Sequence, residues 1–452
     1  MAGAGVNGLT DEVGSEPQEL KADQQSPDTG DAKPRTKRRR RRRPKNKAHG
    51  SSQNQAQAET PKEGGDRRRP KQTQQNSRRK QRNGQRHHNH SSQRLRDRPA
   101  YAALDLGTNN CRLLVAVPDG QSFRVVDAFS RIVRLGEGIA HSNRISDDAM
   151  NRALDALAVC ASKLKSRGIK NHRLIATEAC RIAENGSDFL SRVLERTGLE
   201  LEIVNRETEA RLAVTGCASL VDKKSDGVIL FDIGGGSSEL VWLDMSARKF
   251  KNSQIAEGIR SWTSLPVGVV NLSERHGGVE VTPESFDGMV QEVRKMLADF
   301  PEADALSDAV KNKHIHMLGT SGTVTTLAGV HLDLTHYDRR KVDGIWMSAE
   351  DVTSMTSKLL SMSFNDRQSN ACIGKERADL VLAGCAILEA MRQEWPCDWL
   401  RVADRGLREG ILYELMYADR ALLLPGKRRR RPRKRKPADQ KNTVSANGQM
   451  PS

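Results

Sequence analysis

Residues 103–116, ALDLGTNNCRLLVA, and residues 230–242, LFDIGGGSSELVW, follow one plan. Each is an apolar strand, an Asp, one apolar residue, a Gly-led turn of small polar residues and a second apolar strand. A chain that writes this unit twice is expected to form two similar halves whose hairpins face each other across a shared cleft. Glycine lets a backbone approach a ligand closely and turn its N–H groups toward it. The turns Gly107, Thr108, Asn109 and Gly234, Gly235, Gly236, Ser237 are therefore candidate anion cradles, with phosphate oxygens as the fitting anion. Asp105 and Asp232 end the strands beside those turns. Two carboxylates next to phosphate want a divalent cation between them, and Mg²⁺ is the expected one. Glu239 lies in the apolar strand beyond the triple glycine, where a buried carboxylate needs a metal, a water or a cationic partner, so it joins the candidate metal ligands. A Cβ at Gly235 is expected to obstruct the ligand, and a positive φ is expected there.

The order of elements repeats around these hairpins. The first half reads as three strands (YAALDL, CRLLVAV, FRVVDAFSRIVRL), a helix opening at Ser146, a strand RLIATE, a helix around SDFLSRVLERTG, a strand LEIVNR and a helix ETEARLAVTGCASLV. After a polar linker at about Asp222 to Gly227, the second half opens with strands GVILFDI and SSELVWLD and continues through a longer irregular stretch. There follow a helix starting at Thr282, a strand HIHMLGT, a helix start SGTVTTLAGV, helices SAEDVTSMTSKLLSM and KERADLVLAGCAILEAMRQEW, a strand DWLRVAD and a helix RGLREGILYELMY. The expected domains are 99–222 and 223–421.

The ends are of another kind. Residues 1–98 hold almost no large apolar side chain and cannot bury enough surface to offset the entropy of ordering, so a disordered basic arm is expected there and a disordered basic tail over 422–452. Residues 1–98 carry 25 Lys and Arg against 11 Asp and Glu, and residues 427–452 carry ten against one, so the net charge of +17 belongs to the ends and the middle is acidic. Runs such as KRRRRRRPKNK (37–47) and KRRRRPRKRK (427–436) attract polyanions, nucleic acid included, by counterion release without reading sequence. Seven scattered cysteines show no metal spacing and read as free core thiols of a reducing compartment. No stretch approaches the roughly 18 apolar residues of a membrane span, so a cytoplasmic protein with no membrane partner is expected.

The segments ALDLGTNN, TEACR, NRETEARLA, FDIGGGSSEL, GTSGTVTTLAG and VADRGLREG occur in an order that resembles the exopolyphosphatase and guanosine pentaphosphate phosphatase family of the actin-like ATPase superfamily. The resemblance runs from about Tyr101 to about Ala421. It implies an α/β fold of two duplicated ribonuclease-H-like domains with a cleft between them, in a short two-domain form; a homodimer is a candidate assembly that the sequence itself does not fix. The implied reaction is release of the terminal phosphate from inorganic polyphosphate or guanosine pentaphosphate. Carried over by motif, Glu209 falls on the catalytic glutamate, Asp105 on the first phosphate loop, and Asp232, Gly234 and Glu239 on the second. Thr177 and Arg181 fall on a segment that faces the phosphate, with Arg181 set to stabilise its equatorial oxygens. One departure is Asn110, where many relatives carry a serine.

Other readings of the same residues stand beside these. Glu207 and Glu209 both open a helix, where acidic residues are favoured by the helix dipole without any catalytic duty. Arg377 and Arg405 are candidates for phosphate contact or for ion pairs, and GTSGTVTTLAG can hold a nucleotide base or a further phosphate. A kinase of the same superfamily would need ATP and an acceptor pocket. A polyanion- or RNA-binding scaffold would work through its ends around an inert core.

Overall fold

Tyr101–Leu106 (β1) and Gly227–Ile233 (β6) are nearly continuous apolar runs, and each lies at the middle of a sheet with both faces covered. The computed structural model describes residues 99–246 and 250–422; the arm 1–98 and the tail beyond Leu422 lie outside them.

In the first half β1 pairs antiparallel with β2 (Asn110–Asp119), which pairs antiparallel with β3 (Ser122–Ile132). On its other side β1 runs parallel to β4 (Asn171–Ala176), and β4 parallel to β5 (Glu202–Ile203). The second half repeats that path: β6, β7 (Ser238–Asp244) and β8 (Ile259–Leu265) are antiparallel neighbours, while β9 (Ile315–Thr320) runs parallel to β6. A short β10 (Trp346–Ser348) lies at the edge, antiparallel to β11 (Trp399–Ala403), which runs parallel to β9. The strand orders are therefore β3-β2-β1-β4-β5 and β8-β7-β6-β9-β11-β10. This is the duplicated ribonuclease-H-like plan, with one added edge strand. The stretch expected to be irregular after β7 contains β8, and the helix expected from Lys375 begins only at Val381.

The helices used below are α1 (Asp147–Ser166), α2 (Glu178–Ile182), α3 (Gly186–Thr197), α4 (Arg206–Cys217), α5 (Val269–His276), α6 (Val381–Glu394) and α7 (Leu407–Ala418). α1 starts at Ser146, whose hydroxyl caps Ala149 N–H, as its place before an apolar-periodic run leads one to expect.

Successive residues of β1 point to opposite cores. Ala102, Leu104 and Leu106 join residues of α1 and α3, whereas Tyr101 and Ala103 join Ile411, Leu412 and Met416 of α7. β6 does the same: Ile229, Phe231 and Ile233 face the helices of the second half, and Val228 and Leu230 face Ala210, Ala213, Val214 and Cys217 of α4. Each half thus covers its inner sheet face with the closing helix of the other. The two helices cross backbone to backbone. A Cβ on Gly216 would stand 1.9 Å from Gly406 O, and one on Gly410 would stand 2.1 Å from Leu212 O. The described residues belong to one compact unit. Their seven cysteines are free thiols, and no described helix is long and apolar enough to cross a membrane.

Candidate active site

The two hairpins match to the hydrogen bond. Gly107 N–H donates to Asn110 O at 2.9 Å, and Gly234 N–H donates to Ser237 O at 2.9 Å. Register places Arg112 opposite Asp105 and Glu239 opposite Asp232. The position that carries a cation in the first hairpin therefore carries an anion in the second. Both hairpins leave the carboxyl ends of central strands, the end at which open α/β sheets receive ligands. A cleft of about 800 Å³ opens there.

The triple glycine is packed against protein on two sides. A Cβ on Gly235 would come 2.9 Å from Thr108 Cβ and 3.1 Å from Asn109 N, and one on Gly236 would come 2.8 Å from Thr108 Oγ1. On the other side, Gly234 O and Gly235 O accept hydrogen bonds from Val269 N–H (3.0 Å) and Val270 N–H (2.8 Å), the first residues of α5. Gly268 must also be small, because its Cβ would stand 2.4 Å from Gly235 C and O. The positive φ expected at Gly235 is absent; glycine is needed for close approach of backbones instead.

Four carboxylates converge beneath these turns. α4 is opened by Asn205, whose side chain accepts from Thr208 N–H at 2.8 Å, and this start points Glu209 into the cleft while Glu207 is left exposed. Burial pushes the Glu209 carboxyl well above its usual range, with Glu239 adding to the rise and Arg181 opposing it. Burial likewise raises Asp232 to about 7, helped by Glu239 and Asp105, against Arg112 and Arg408. Asp105 is raised by burial and held back by the same two arginines. Glu239, 2% exposed, accepts from Ser237 and Ser264 hydroxyls, each at 2.9 Å, yet burial still raises it. Carboxylates that disfavour one another's charge fit a cation. Among the described residues, however, no three His, Cys, Asp or Glu side chains form a ready metal cage. This donor set suits Mg²⁺, which takes one or two carboxylates and fills its shell with water and phosphate oxygens.

Of the residues singled out in the sequence, Asp105, Gly107, Thr108, Asn109, Thr177, Glu209, Asp232, Gly234, Gly235, Gly236, Ser237 and Glu239 all line the cleft. Arg181 does not. Its guanidinium lies behind the wall, bonded to Glu178, Glu209 and the Val204 carbonyl. Arg405 lines the cleft but is paired with Asp343 and the Ser219 hydroxyl, which favours its ion-pair reading. Arg377 faces the cleft beside Gly322 with no ion pair among the described residues.

Arg112 and Arg408 went unread in the sequence. Both line the cleft floor and act on Asp105 and Asp232, and neither makes a hydrogen bond or ion pair among the described residues. Arg112 had a signal, a cation inside the apolar strand CRLLVAV; Arg408 had none beyond its place at a helix start. The first hairpin also leaves Asn109 Oδ1 and Asn110 Oδ1 buried without a partner, which suits a ligand in the cleft. The far wall is held by Tyr337, whose hydroxyl donates to Asp404 at 2.8 Å, and by Arg339, which bonds Glu409 at 2.7 Å.

The same plan occurs in other proteins. The chain is 28% identical over 327 residues to a guanosine-5'-triphosphate,3'-diphosphate pyrophosphatase of Vibrio atlanticus, covering 70% of this chain and 59% of that protein. It thus spans 59% of that curated relative's length. A solved exopolyphosphatase-like protein is 28% identical with a TM-score of 0.61, covering 72% of this chain and 100% of that one. A solved Ppx/GppA family member from Aquifex aeolicus is 26% identical with a TM-score of 0.57, covering 71% and 98%. The model of the Ppx/GppA phosphatase family matches residues 114–418, from the middle of β2 to the last residue of α7. With two matched sheets, a paired-hairpin cleft and a family match over most of its length, the chain belongs to the Ppx/GppA phosphatase family.

Proposed function

We propose that the chain is a phosphohydrolase that releases terminal orthophosphate from linear inorganic polyphosphate. The observation that carries this reading is a half-buried glutamate, Glu209, in one cleft with two unpaired guanidiniums, Arg112 and Arg408. Recessed cations without protein partners are suited to a polyanion, and a carboxylate whose pKa is raised by burial is a stronger base than an ordinary one. Backbone N–H groups of the two glycine turns hold the terminal phosphate, while Arg112 and Arg408 neutralise its oxygens. Glu209 accepts the proton of a water as that water's oxygen bonds to the terminal phosphorus and the bridging P–O bond breaks in line. The chain leaves one unit shorter. Asp105 and Asp232, with Glu239 beside them, would hold Mg²⁺, which supplies charge neutralisation to the phosphate oxygens when bound.

Guanosine pentaphosphate is the second reading. The name of the Vibrio relative favours it, as does a cleft that continues past Thr323 to Tyr337 and Ile373, with room for more than a phosphate. The deciding measurement is phosphate release from long polyphosphate, tripolyphosphate and guanosine pentaphosphate, side by side, with Mg²⁺ and with EDTA. Metal-dependent release from polyphosphate is expected. Release from guanosine pentaphosphate alone would move the assignment to the second reading, and release from none would favour the scaffold reading.

A further inference from the structure

Glu178 is the first residue of α2, next to Thr177 in the cleft wall, and it is only 3% exposed. A carboxylate so covered is strongly destabilising unless cations meet it. Two do. Arg181 reaches Oε2 through Nε (2.9 Å) and Nη2 (2.5 Å), and Arg206 reaches Oε1 through Nη2 at 2.7 Å. Arg181 then extends the chain of contacts, with Nη1 donating to Val204 O at 2.5 Å and Nη2 to Glu209 Oε2 at 3.1 Å. A guanidinium is a rigid planar fork, so holding it on Glu178 and Val204 fixes where its remaining N–H points.

We propose that Glu178 and Arg181 are positioning residues for Glu209: Glu178 clamps a guanidinium whose free N–H aims the carboxylate that takes the proton from water. The inference rests on the phosphohydrolase reading. Sharing is part of the arrangement. Arg181 gives most of its N–H groups to Glu178 and the Val204 carbonyl and one to Glu209. Glu209 is thereby oriented without the bidentate pairing that would make it a weak base. Val204 precedes the Asn205 cap of α4, so Arg181 also fastens the start of the helix that carries Glu209 to α2. The clamp touches the second half as well: a Cβ on Gly236 would lie 3.3 Å from Glu178 Cγ. The triple glycine therefore leaves room for the clamp as well as for Thr108.

The test uses the full chain carrying Glu178→Gln or Arg181→Lys, each alone and combined with Glu209→Gln, with tripolyphosphate and Mg²⁺. Each single variant is expected to lower kcat roughly 10- to 100-fold and to move KM less than about threefold. In the Glu209→Gln background neither should lower the residual rate further, because the group they position is gone. A raised KM with kcat kept would mean that Arg181 touches substrate, and an equal loss in the Glu209→Gln background would mean that the clamp acts elsewhere; either overturns the inference. Should thermal melting show Glu178→Gln unfolded, Arg181→Lys, which leaves Glu178 in place, carries the same comparison. If the wild-type chain releases no phosphate from any tested substrate, the functional reading falls, and crystal structures of wild type and Arg181→Lys decide the inference. A displaced Glu209 carboxylate supports it, and an unmoved one overturns it.

Discussion

Glu207 and Glu209 stand two apart at one helix start, and nothing in their spacing separates them: the helix dipole favours both. Motif position pointed to Glu209, and the fold places Glu209 in the cleft on Arg181 with Glu207 outside in solvent. Glu209→Gln keeps size and hydrogen bonding but cannot take a proton. It is expected to leave folding and polyphosphate binding in place while kcat falls about 10²- to 10⁴-fold, with Glu207→Gln close to wild type; steady-state phosphate release and direct binding measure both. Equal losses would move the base elsewhere, with Glu239 next in line. Asp232 gives a second handle. Its pKa of about 7 in the fold lies above its ordinary 3.8, so the folded state holds a proton that the unfolded state has released. The stability this confers is complete below 3.8 and lost as pH rises through about 7. Without ligand, Tm is therefore expected to fall more steeply over that interval in wild type than in Asp232→Asn, and Mg²⁺ should flatten the wild-type curve. Parallel curves without ligand would contradict the shifted Asp232. Arg112 was readable, since a cation in an apolar strand needs a reason. Arg408 was not, because it reaches the cleft only through the return of α7 to the first sheet.

The paired hairpins were readable as elements because their pattern is local: apolar strand, Asp, glycine turn, strand. What the triple glycine packs against is a matter of tertiary contact and stayed hidden. Gly235→Val would drive a branched side chain into Thr108 and the Asn109 backbone, atoms that do not yield as a flexible side-chain end would. Phosphate release is expected to fall at least about 10²-fold while Gly288→Ala, within the helix Pro283–Leu297 where the new Cβ would meet only the His276 ring at 3.6 Å, leaves activity near wild type. Near-normal activity in Gly235→Val would show that the two hairpins need not touch. The elements misread were those with weak periodicity. IRSWTSL of β8 is half-exposed with polar residues on both faces, and β10 is three residues long. KERADL has helical composition but wraps the cleft as turns before α6, where the buried Arg367 takes the Gly278, Val279 and Ala378 carbonyls.

For the whole chain, charge and fold are divided between different residues. The basic runs fall outside the described residues, whereas the candidate reacting groups line the described cleft. We propose that the ends gather polyanion and the cleft performs the chemistry. Removing residues 1–98 and 423–452 is then expected to leave kcat on tripolyphosphate unchanged, to weaken apparent affinity for long polyphosphate and to flatten its salt dependence. Unchanged affinity and salt slope would discard this division of labour.

The crossing of α4 and α7 bears on folding as well as on shape. The first half alone would leave Tyr101, Ala103, Leu114 and Ala116 without α7 and the apolar side of α4 without β6, so neither half is a complete hydrophobic unit. Two sheets with separate cores would ordinarily melt in two steps. Here the described unit is expected to melt in one, with calorimetric and van't Hoff enthalpies in agreement, and Gly216→Ala, which forces a Cβ against the Gly406 carbonyl, should lower that single transition for both halves together. Two resolved transitions, with only one shifted by Gly216→Ala, would show that the halves fold independently. A repeat whose halves each borrow the other's closing helix cannot be shortened to one half without baring that half's inner sheet face.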